Sequence, residues 1–286
     1  MRTLARTLIA FAALALLLPT LGCETLGSVL EGLDKPRASI ASARLSDLDA
    51  QSVTLDFDVE VLNPYNVPLP LTALRYDLAS AGAPFLTGEA PLTGSVPARG
   101  RKTVTLPTRV AFNDLLAALS GVRPGQVVPY DAGLTLSVDA PGLGPIELPL
   151  RQSGELPVPA PPAVSLASLD WDELSLTNAR ALMRLDVTNT NDFRLDLGAL
   201  DTALKLAGRD IGQTSIRDAL RHGAGETGSL EVPIAFSPVS LGASILAVLR
   251  GDSADYAIDG AVRGATPFGP IELPFERTGR APLTGG

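Results

Sequence analysis

The sequence predicts a mainly β protein, made of two tandem immunoglobulin-like (fibronectin type III-like) antiparallel β-sandwiches with one short α-helix in each. Three observations predict this fold class. Strings of residues recur at a nearly constant offset, short segments alternate apolar and polar residues, and 27 Gly with 24 Pro supply many turns. With a single Cys, no disulfide can form within the chain, so each sandwich depends on an apolar core.

The duplication is visible in strings that recur 125 or 126 residues later. The matching strings are ASIAS (38–42) with VSLAS (164–168), VLNPYNVPLPL (61–71) with VTNTNDFRLDL (187–197), and GPIELPL (144–150) with GPIELPF (269–275). The period is far longer than the ~20–50 residues of a solenoid repeat, so each copy is a whole domain. The predicted domains are 36–156 and 162–283.

Two connections flank the first domain. Residues 157–161 are Pro-rich and are expected to run extended and fairly stiff as a linker. Residues 23–35 form a tether before the first domain. Apolar residues recur there at helical spacing, so both a short amphipathic helix and a flexible tether stay open.

Strand predictions rest on alternation. From Val53 to Val61 every second residue is apolar, which indicates a strand with one buried and one wet face, and Ala179–Val187 is its counterpart. Further strands are predicted at 71–78, 102–112, 130–138 and 146–150, and at 197–207, 229–236, 256–262 and 271–275.

Turns and helices follow from local chemistry. Residues 63–66 and 189–192 predict turns, because Asn and Asp tolerate left-handed backbone. Asn113 predicts the N-cap of a helix over 114–119. Ser237 followed by Pro238 predicts the start of a second helix that reaches about Leu249.

Each copy resembles the group 2 late embryogenesis abundant family, also called the water stress and hypersensitive response (WHy) domain. The residues that carry the resemblance are the alternating strand leading into Asn63-Pro64-Tyr65-Asn66 and the following Pro68-Leu69-Pro70-Leu71. The second copy lacks the Pro and Tyr of that turn and is assigned through the internal repeat. The resemblance implies a seven-stranded sandwich with one helix, an association with desiccation and other stress, and no catalysis.

The first 22 residues have the pattern of a lipoprotein signal peptide. Arg2 and Arg6 precede an apolar run over 8–18, which is too short to span a bilayer, and Gly22-Cys23 resembles the bacterial lipobox. Cys23 is therefore expected to be lipidated, with an ordinary signal peptide as the alternative. Glu24 in place of Asp favours the outer membrane, with the protein facing the periplasm or the cell surface.

The net negative charge of the chain restricts the kinds of partner that it is expected to bind. There are 31 acidic against 23 basic residues, and cleavage would remove two of the basic ones. Nucleic acid and anionic lipid both call for Lys/Arg clusters, so the sequence predicts no nucleic-acid partner. The expected partners are the membrane, through the N-terminal lipid, and envelope proteins; the sequence leaves the oligomeric state open.

The residue types needed for catalysis are nearly absent. His222 is the only His and is expected on a surface loop, and no His/Cys cluster has zinc spacing. The glycine-rich run Gly223–Gly228 precedes a strand rather than joining a strand to a helix, so it does not fit a dinucleotide-binding motif. Asp56, Asp58 and Glu60 share one strand face and are expected to be solvated rather than to bind Ca²⁺. No enzyme activity, cofactor or metal is predicted.

Two further side chains yield hypotheses about packing. Arg184, in the second copy, occupies the position of Asp58, so opposite charges could orient the two domains against each other. Trp171 is expected in the core or between the domains rather than in a ligand site.

The sequence therefore predicts a non-enzymatic, lipid-anchored envelope protein, associated with desiccation or other stress and acting through contacts at the membrane surface. The alternative is a periplasmic lipoprotein that binds an apolar ligand or scaffolds an envelope assembly. An apolar cavity of several hundred Å³ between the sheets would favour the alternative.

Overall fold

The computed structural model describes residues 34–217, 220–242 and 245–285, and this part of the chain forms two matching sets of strands. The first set is β1 (Arg37–Ser46), β2 (Ser52–Leu62), β3 (Leu69–Ser80), β4 (Ala83–Pro91), β5 (Ser95–Val96), β6 (Arg101–Ala111), β7 (Val127–Ala140) and β8 (Gly144–Pro157). The second set is β9 (Ala163–Leu174), β10 (Ala179–Thr188), β11 (Leu195–Leu206), β12 (Arg209–Ile216), β13 (Leu220–His222), β14 (Thr227–Phe236), β15 (Ser253–Thr266) and β16 (Gly269–Gly285).

The two sets have the same topology. In the first copy a sheet of order β1-β2-β6 faces a sheet of order β4-β3-β7-β8, and β5 pairs with β3. In the second copy the corresponding orders are β9-β10-β14 and β12-β11-β15-β16, and β13 pairs with β11. The predicted fold class of two tandem antiparallel sandwiches is therefore confirmed, and the described residues of each copy form seven main strands and one short strand.

The copies differ in how their two sheets are joined. In the second copy residues 283–285 at the end of β16 pair in parallel with 169–171 of β9, so the two sheets become continuous. In the first copy the corresponding residues follow β8 and form the connection to the second copy instead.

The core forms where the alternation predicted it. The inward-facing apolar residues of β2 are at most 1% exposed, and those of β10 at most 2%. Full burial of one such side chain stabilises a fold by roughly 1.5–3 kcal/mol, so each central strand contributes substantially to its own core. The buried side chains of β2 are Val53, Leu55, Phe57, Val59 and Val61.

A Tyr–Gly pair recurs between the last two strands of each copy. Tyr130 lies opposite Gly154, and Tyr256 lies opposite Gly279. Each ring covers its glycine, because a Cβ there would come within 2.9 Å of ring atoms. Burial raises the pKa of the Tyr130 hydroxyl. The Tyr256 hydroxyl accepts a hydrogen bond of 3.3 Å from the Leu166 N–H on the facing sheet.

The helices differ in detail from their prediction. Helix α1 spans Phe112–Ala118, and its N-cap is Ala111, without a side-chain hydrogen bond, so the predicted Asn113 cap is wrong. The helix predicted to run from Pro238 to about Leu249 is divided into a 3₁₀ helix (Pro238–Leu241) and helix α2 (Ile245–Leu249). Gly242 ends the first segment with a φ of 101°, which is incompatible with a continuous helix.

Candidate functional site

The leader 1–22, Cys23 and the tether up to residue 33 lie outside the described residues, so lipidation of Cys23 stays a prediction. Within the residues that are described, no helix is long and apolar enough to cross a membrane.

A buried asparagine anchors the turn after β2. Asn63 is 1% exposed, and its Nδ2 donates hydrogen bonds of 2.8–3.1 Å to the carbonyls of Val67, Val96 and Pro97. Its Oδ1 accepts a hydrogen bond of 2.9 Å from the Tyr65 N–H. One side chain thereby ties the turn to β5, and loss of the amide would leave buried carbonyls without a donor.

Asn189 repeats this arrangement in the second copy. It is also 1% exposed, and its Nδ2 donates to the carbonyls of Phe193 (2.7 Å) and Gly223 (3.0 Å). Its Oδ1 accepts hydrogen bonds from both the backbone and the side-chain nitrogen of Asn191. The chain turns at 63–66 and 189–192 as predicted, but without the left-handed backbone on which the prediction rested. The first Asn instead accepts a hydrogen bond from the N–H two residues on, and it is a buried structural hub.

The turn of the second copy also holds the connection between the copies. Asn191 Oδ1 accepts a hydrogen bond of 2.7 Å from the Ala160 N–H, and its Nδ2 donates one of 3.1 Å to the Ala160 carbonyl. The Thr190 hydroxyl donates a hydrogen bond of 2.8 Å to the Pro161 carbonyl. The Asn191 side chain thus makes the two hydrogen bonds that a neighbouring β-strand would make, and it holds the Pro-rich segment in place.

The loop before β7 completes this junction from the first copy. The Gly125 N–H donates to the Val158 carbonyl (2.6 Å), and the Gly125 carbonyl accepts from the Asp192 N–H (2.7 Å). Gly125 has a φ of 97°, and a Cβ there would lie 2.7 Å from the Thr190 carbonyl oxygen. Both the conformation and the close approach therefore require glycine.

The Pro-rich segment is consequently part of the packed structure. Val158 is 1% exposed and Ala160 is 9% exposed, and both are bonded through their backbone. The two copies meet end to end, because the junction joins the end of β8 to the turn after β10. We refer to Gly125, residues 158–161 and residues 190–192 as the junction.

The predicted row of carboxylates lies on the outer face of β2 and is fully engaged. Asp58 accepts hydrogen bonds from Thr105 Oγ1 (2.6 Å) and Ser42 Oγ (2.8 Å) and forms an ion pair with Arg44. The Thr105 and Ser42 hydroxyls, helped by Arg44, lower the pKa of Asp58 below its ordinary value. Its side chain is 18% exposed, so this face is less open than a fully solvated one.

The same face carries similar bonds above and below Asp58. Asp56 accepts a hydrogen bond of 2.8 Å from Ser46 Oγ, and Glu60 lies 3.4 Å from Arg101. Within the described ranges no group of three or more His, Cys, Asp or Glu side chains is placed to hold a metal ion.

The charges of β10 are paired inside their own copy. Arg184 donates to Glu231 at 2.8 Å, and Arg180 lies 3.9 Å from Glu173. The hydrogen bond and charge of Glu231 raise the pKa of Arg184. The hypothesis that Arg184 orients the copies is therefore wrong, and the junction takes that role.

His222 is buried, and its prediction as an exposed loop residue is wrong. It is 3% exposed and lies in β13 opposite Leu195, where the first copy places Val96 opposite Leu69. Its ring covers Gly228, and its Nδ1 has no hydrogen-bond partner. The glycines around it obscured this short strand in the sequence.

Trp171 packs in the core, as predicted. It is 5% exposed, and its ring meets Phe236 edge-on at 6.0 Å. Because it is the only tryptophan, its fluorescence reports on the second copy alone.

Sequence reasoning missed that Asn63 and Asn189 are buried hubs and that Asn191 and Gly125 form a junction. A signal existed for the first pair, since each Asn ends an alternating strand at the same repeat position. Nothing local marks Gly125, because its partners Val158 and Asp192 lie 33 and 67 residues further along the chain.

These features define a duplicated β-sandwich in which each copy has its own turn anchored by a buried asparagine. A model of the family described as late embryogenesis abundant protein matches residues 58–154 and again residues 184–279. The chain belongs to this family and carries two copies of its domain.

Two plant relatives illustrate the match. The desiccation protectant protein Lea14 homolog of Glycine max is 31% identical over 127 residues, which cover 44% of this chain and 84% of the relative. Late embryogenesis abundant protein Lea14-A of Gossypium hirsutum is 29% identical over the same length, again covering 44% and 84%. A solution structure from Arabidopsis thaliana is 26% identical, covers 45% of this chain and 85% of that one, and has a TM-score of 0.37.

Proposed function

We propose that this chain is a non-enzymatic, lipid-anchored envelope protein that is associated with desiccation or other water stress. The observation that carries the proposal is the double match to a family whose plant members are named for desiccation. The outer-face carboxylates are engaged in hydrogen bonds and ion pairs within the fold, which is consistent with a structural role for them.

The anchor in this proposal is a lipid on Cys23, with the outer membrane as the favoured location. The supporting observations are the leader pattern and the lack of any other Cys in the sequence. The chain would then hold two folded domains at the membrane surface, in the fixed mutual orientation that the junction gives them.

The proposed mode of action is contact with membrane or envelope proteins through folded, hydrated faces. The outer faces of both copies carry exposed cross-strand pairs such as Arg75–Glu147 and Arg184–Glu231. Surface pairs of this kind contribute at most about 1 kcal/mol each to stability, so they are free to be exchanged for contacts with a partner.

One experiment separates the anchor from the stress role. A deletion strain is complemented with the wild type or with Cys23→Ala, and both palmitate labelling and survival after drying are measured. We expect labelling of the wild type only, and reduced survival both in the deletion strain and with Cys23→Ala.

Labelling that persists in Cys23→Ala would refute the anchor. Survival of the deletion strain equal to that of the parent would refute the stress role, whatever the labelling. Full rescue by an unlabelled Cys23→Ala protein would show that the domains act without the anchor.

A further inference from the structure

A small apolar cleft opens in the second copy between β12 and β14, which are the two edge strands of its sheets. Its volume is about 120 Å³. The cleft reaches the core, because Met183 and Leu204 in its wall are at most 4% exposed. Its other apolar wall residues are Ile211, Pro233, Ile234 and Ala235.

The corresponding space in the first copy is filled by a tyrosine. Tyr76 lies opposite Gly88 in the ladder between β3 and β4, and its ring covers that glycine. Thr202 and Thr214 hold the same two ladder positions between β11 and β12, 126 residues later. The second copy therefore lacks a phenol ring where the first copy has one.

At two more wall positions an aromatic side chain of the first copy is replaced by an aliphatic side chain or a thioether in the second. Phe85, which is 7% exposed, corresponds to Ile211 at the same bulge of the edge strand. Phe57 lies opposite Leu106, and its counterpart Met183 lies opposite Val232. Three aromatic side chains of the first copy are thus replaced by Thr, Ile and Met around one cleft.

An unfilled cleft is costly for a core. Removal of buried groups destabilises a protein in proportion to the cavity left behind, at about 24 cal/mol per Å³. Apolar cavities on the order of 150 Å³ are also large enough to bind benzene. The size of this cleft therefore matches a single six-membered ring.

The polar side chains that line the cleft are neutral. Thr202, Gln213 and Thr214 line both the cleft and an adjoining open groove. The acidic residues of that groove, Asp201 and Asp259, point to the opposite face of the sheet from Thr202, and Asp201 pairs with Arg263. A hydroxyl on the ring would meet the hydroxyl and amide groups of the cleft, whereas a carboxylate would lose its hydration with no cation among the lining residues to replace it.

We propose that the second copy binds a small, neutral, phenol-like aromatic molecule in the cleft between β12 and β14, with its ring in the place that Tyr76 occupies in the first copy. The site does not depend on anchoring at Cys23 or on the stress role. It distinguishes the two copies, since the first copy has filled the same space with its own side chains.

The test uses p-cresol as the probe and the full chain without its leader, followed by amide NMR. We expect saturable shifts confined to residues around 202–214 and 233–235, and binding of p-toluate at least tenfold weaker. Absence of saturable shifts with p-cresol would overturn the proposal, and equal binding of p-toluate would overturn the role of the neutral lining.

Variants that introduce the first copy's residues into the cleft of the second copy provide the decisive comparison. Ile211→Phe and the pair Thr202→Tyr with Thr214→Gly should each weaken binding of p-cresol at least tenfold. Val239→Asn, which introduces the first copy's Asn113 at an exposed position outside the cleft wall, should bind like the wild type. Shifts unchanged in the filled variants would place the probe elsewhere and refute the site.

A converse variant keeps the test decisive if a filled variant does not fold. Tyr76→Thr with Phe85→Ile empties the corresponding space in the first copy and should create a second set of shifts there. Folding of the second copy in every variant is checked by Trp171 fluorescence. A first copy that stays inert to p-cresol after both changes would contradict the proposed basis of binding.

Discussion

At the scale of single residues, buried polar side chains decide the local structure. Asn63 and Asn189 each satisfy several backbone groups, which offsets the cost of burying an amide. His222 does the opposite, because it occupies a core position with an unpartnered nitrogen where the first copy has Val96. The same backbone position is thus served by a well-suited and a poorly suited side chain within one molecule.

Replacing His222 by Val should raise the free energy of unfolding of the second copy by about 1 kcal/mol, since the unsatisfied imidazole nitrogen is removed. Urea unfolding followed by Trp171 fluorescence measures this directly. As the matched control, Val96→His should destabilise the first copy and leave the Trp171 transition unchanged. A lower Trp171 midpoint in His222→Val would show that the imidazole stabilises its site.

At the scale of strands and helices, alternation predicted the central strands closely. The predicted strands 53–61 and 179–187 lie within β2 and β10, because a period of two has only one structural interpretation when one face is buried. The short strands β5 and β13 and the division of the second helix could not be predicted in this way. Their bounds depend on the Asn hubs and on Gly242, which are tertiary and conformational constraints rather than a pattern of hydropathy.

The hydroxyl groups on the neighbouring strands should give Asp58 a measurable pH signature. Its pKa is lowered in the folded state, so its contribution to stability is present above the ordinary Asp pKa and is lost as the pH falls through the lowered value. Thr105→Val removes the largest cause and should raise the pKa of Asp58.

Carboxyl-carbon NMR titration of the wild type and Thr105→Val tests this expectation. Thr103→Val, on the same strand, serves as a control that leaves the titration of Asp58 in place. Identical titration of Asp58 in Thr105→Val and the wild type would assign the effect to Arg44 and Ser42 alone.

At the scale of the whole molecule, the junction turns two domains into one elongated body. The duplication and the position of the connecting segment were legible in the sequence as repeated strings and a Pro-rich stretch. The contacts that fix the segment could not be predicted from the sequence, because they join Gly125, Ala160 and Asn191, which are far apart in the chain. The sequence thus predicted a stiff spacer, whereas the structure has a buried, hydrogen-bonded connection.

Loosening the junction should increase interdomain motion without unfolding either copy. Asn191→Ala removes both bonds to Ala160, and Gly125→Ala places a Cβ against the Thr190 carbonyl. Small-angle scattering should then show a broader distribution of interdomain distances.

Gly251→Ala is the control, because this glycine holds the corresponding position of the second copy and meets only nearby backbone. Unchanged scattering for both Asn191→Ala and Gly125→Ala would mean that the Thr190–Pro161 hydrogen bond and the packing of Val158 suffice to fix the two copies.

The junction also has a mechanical consequence. Tension between an N-terminal anchor and a partner held by the second copy must pass through residues 158–161, and there it loads the bonds of Asn191, Thr190 and Gly125 together. Because the segment is only a few residues long and a residue extends by at most ~3.6 Å, opening the junction releases very little slack. A force applied at one end is therefore transmitted to the other end with very little extension of the molecule.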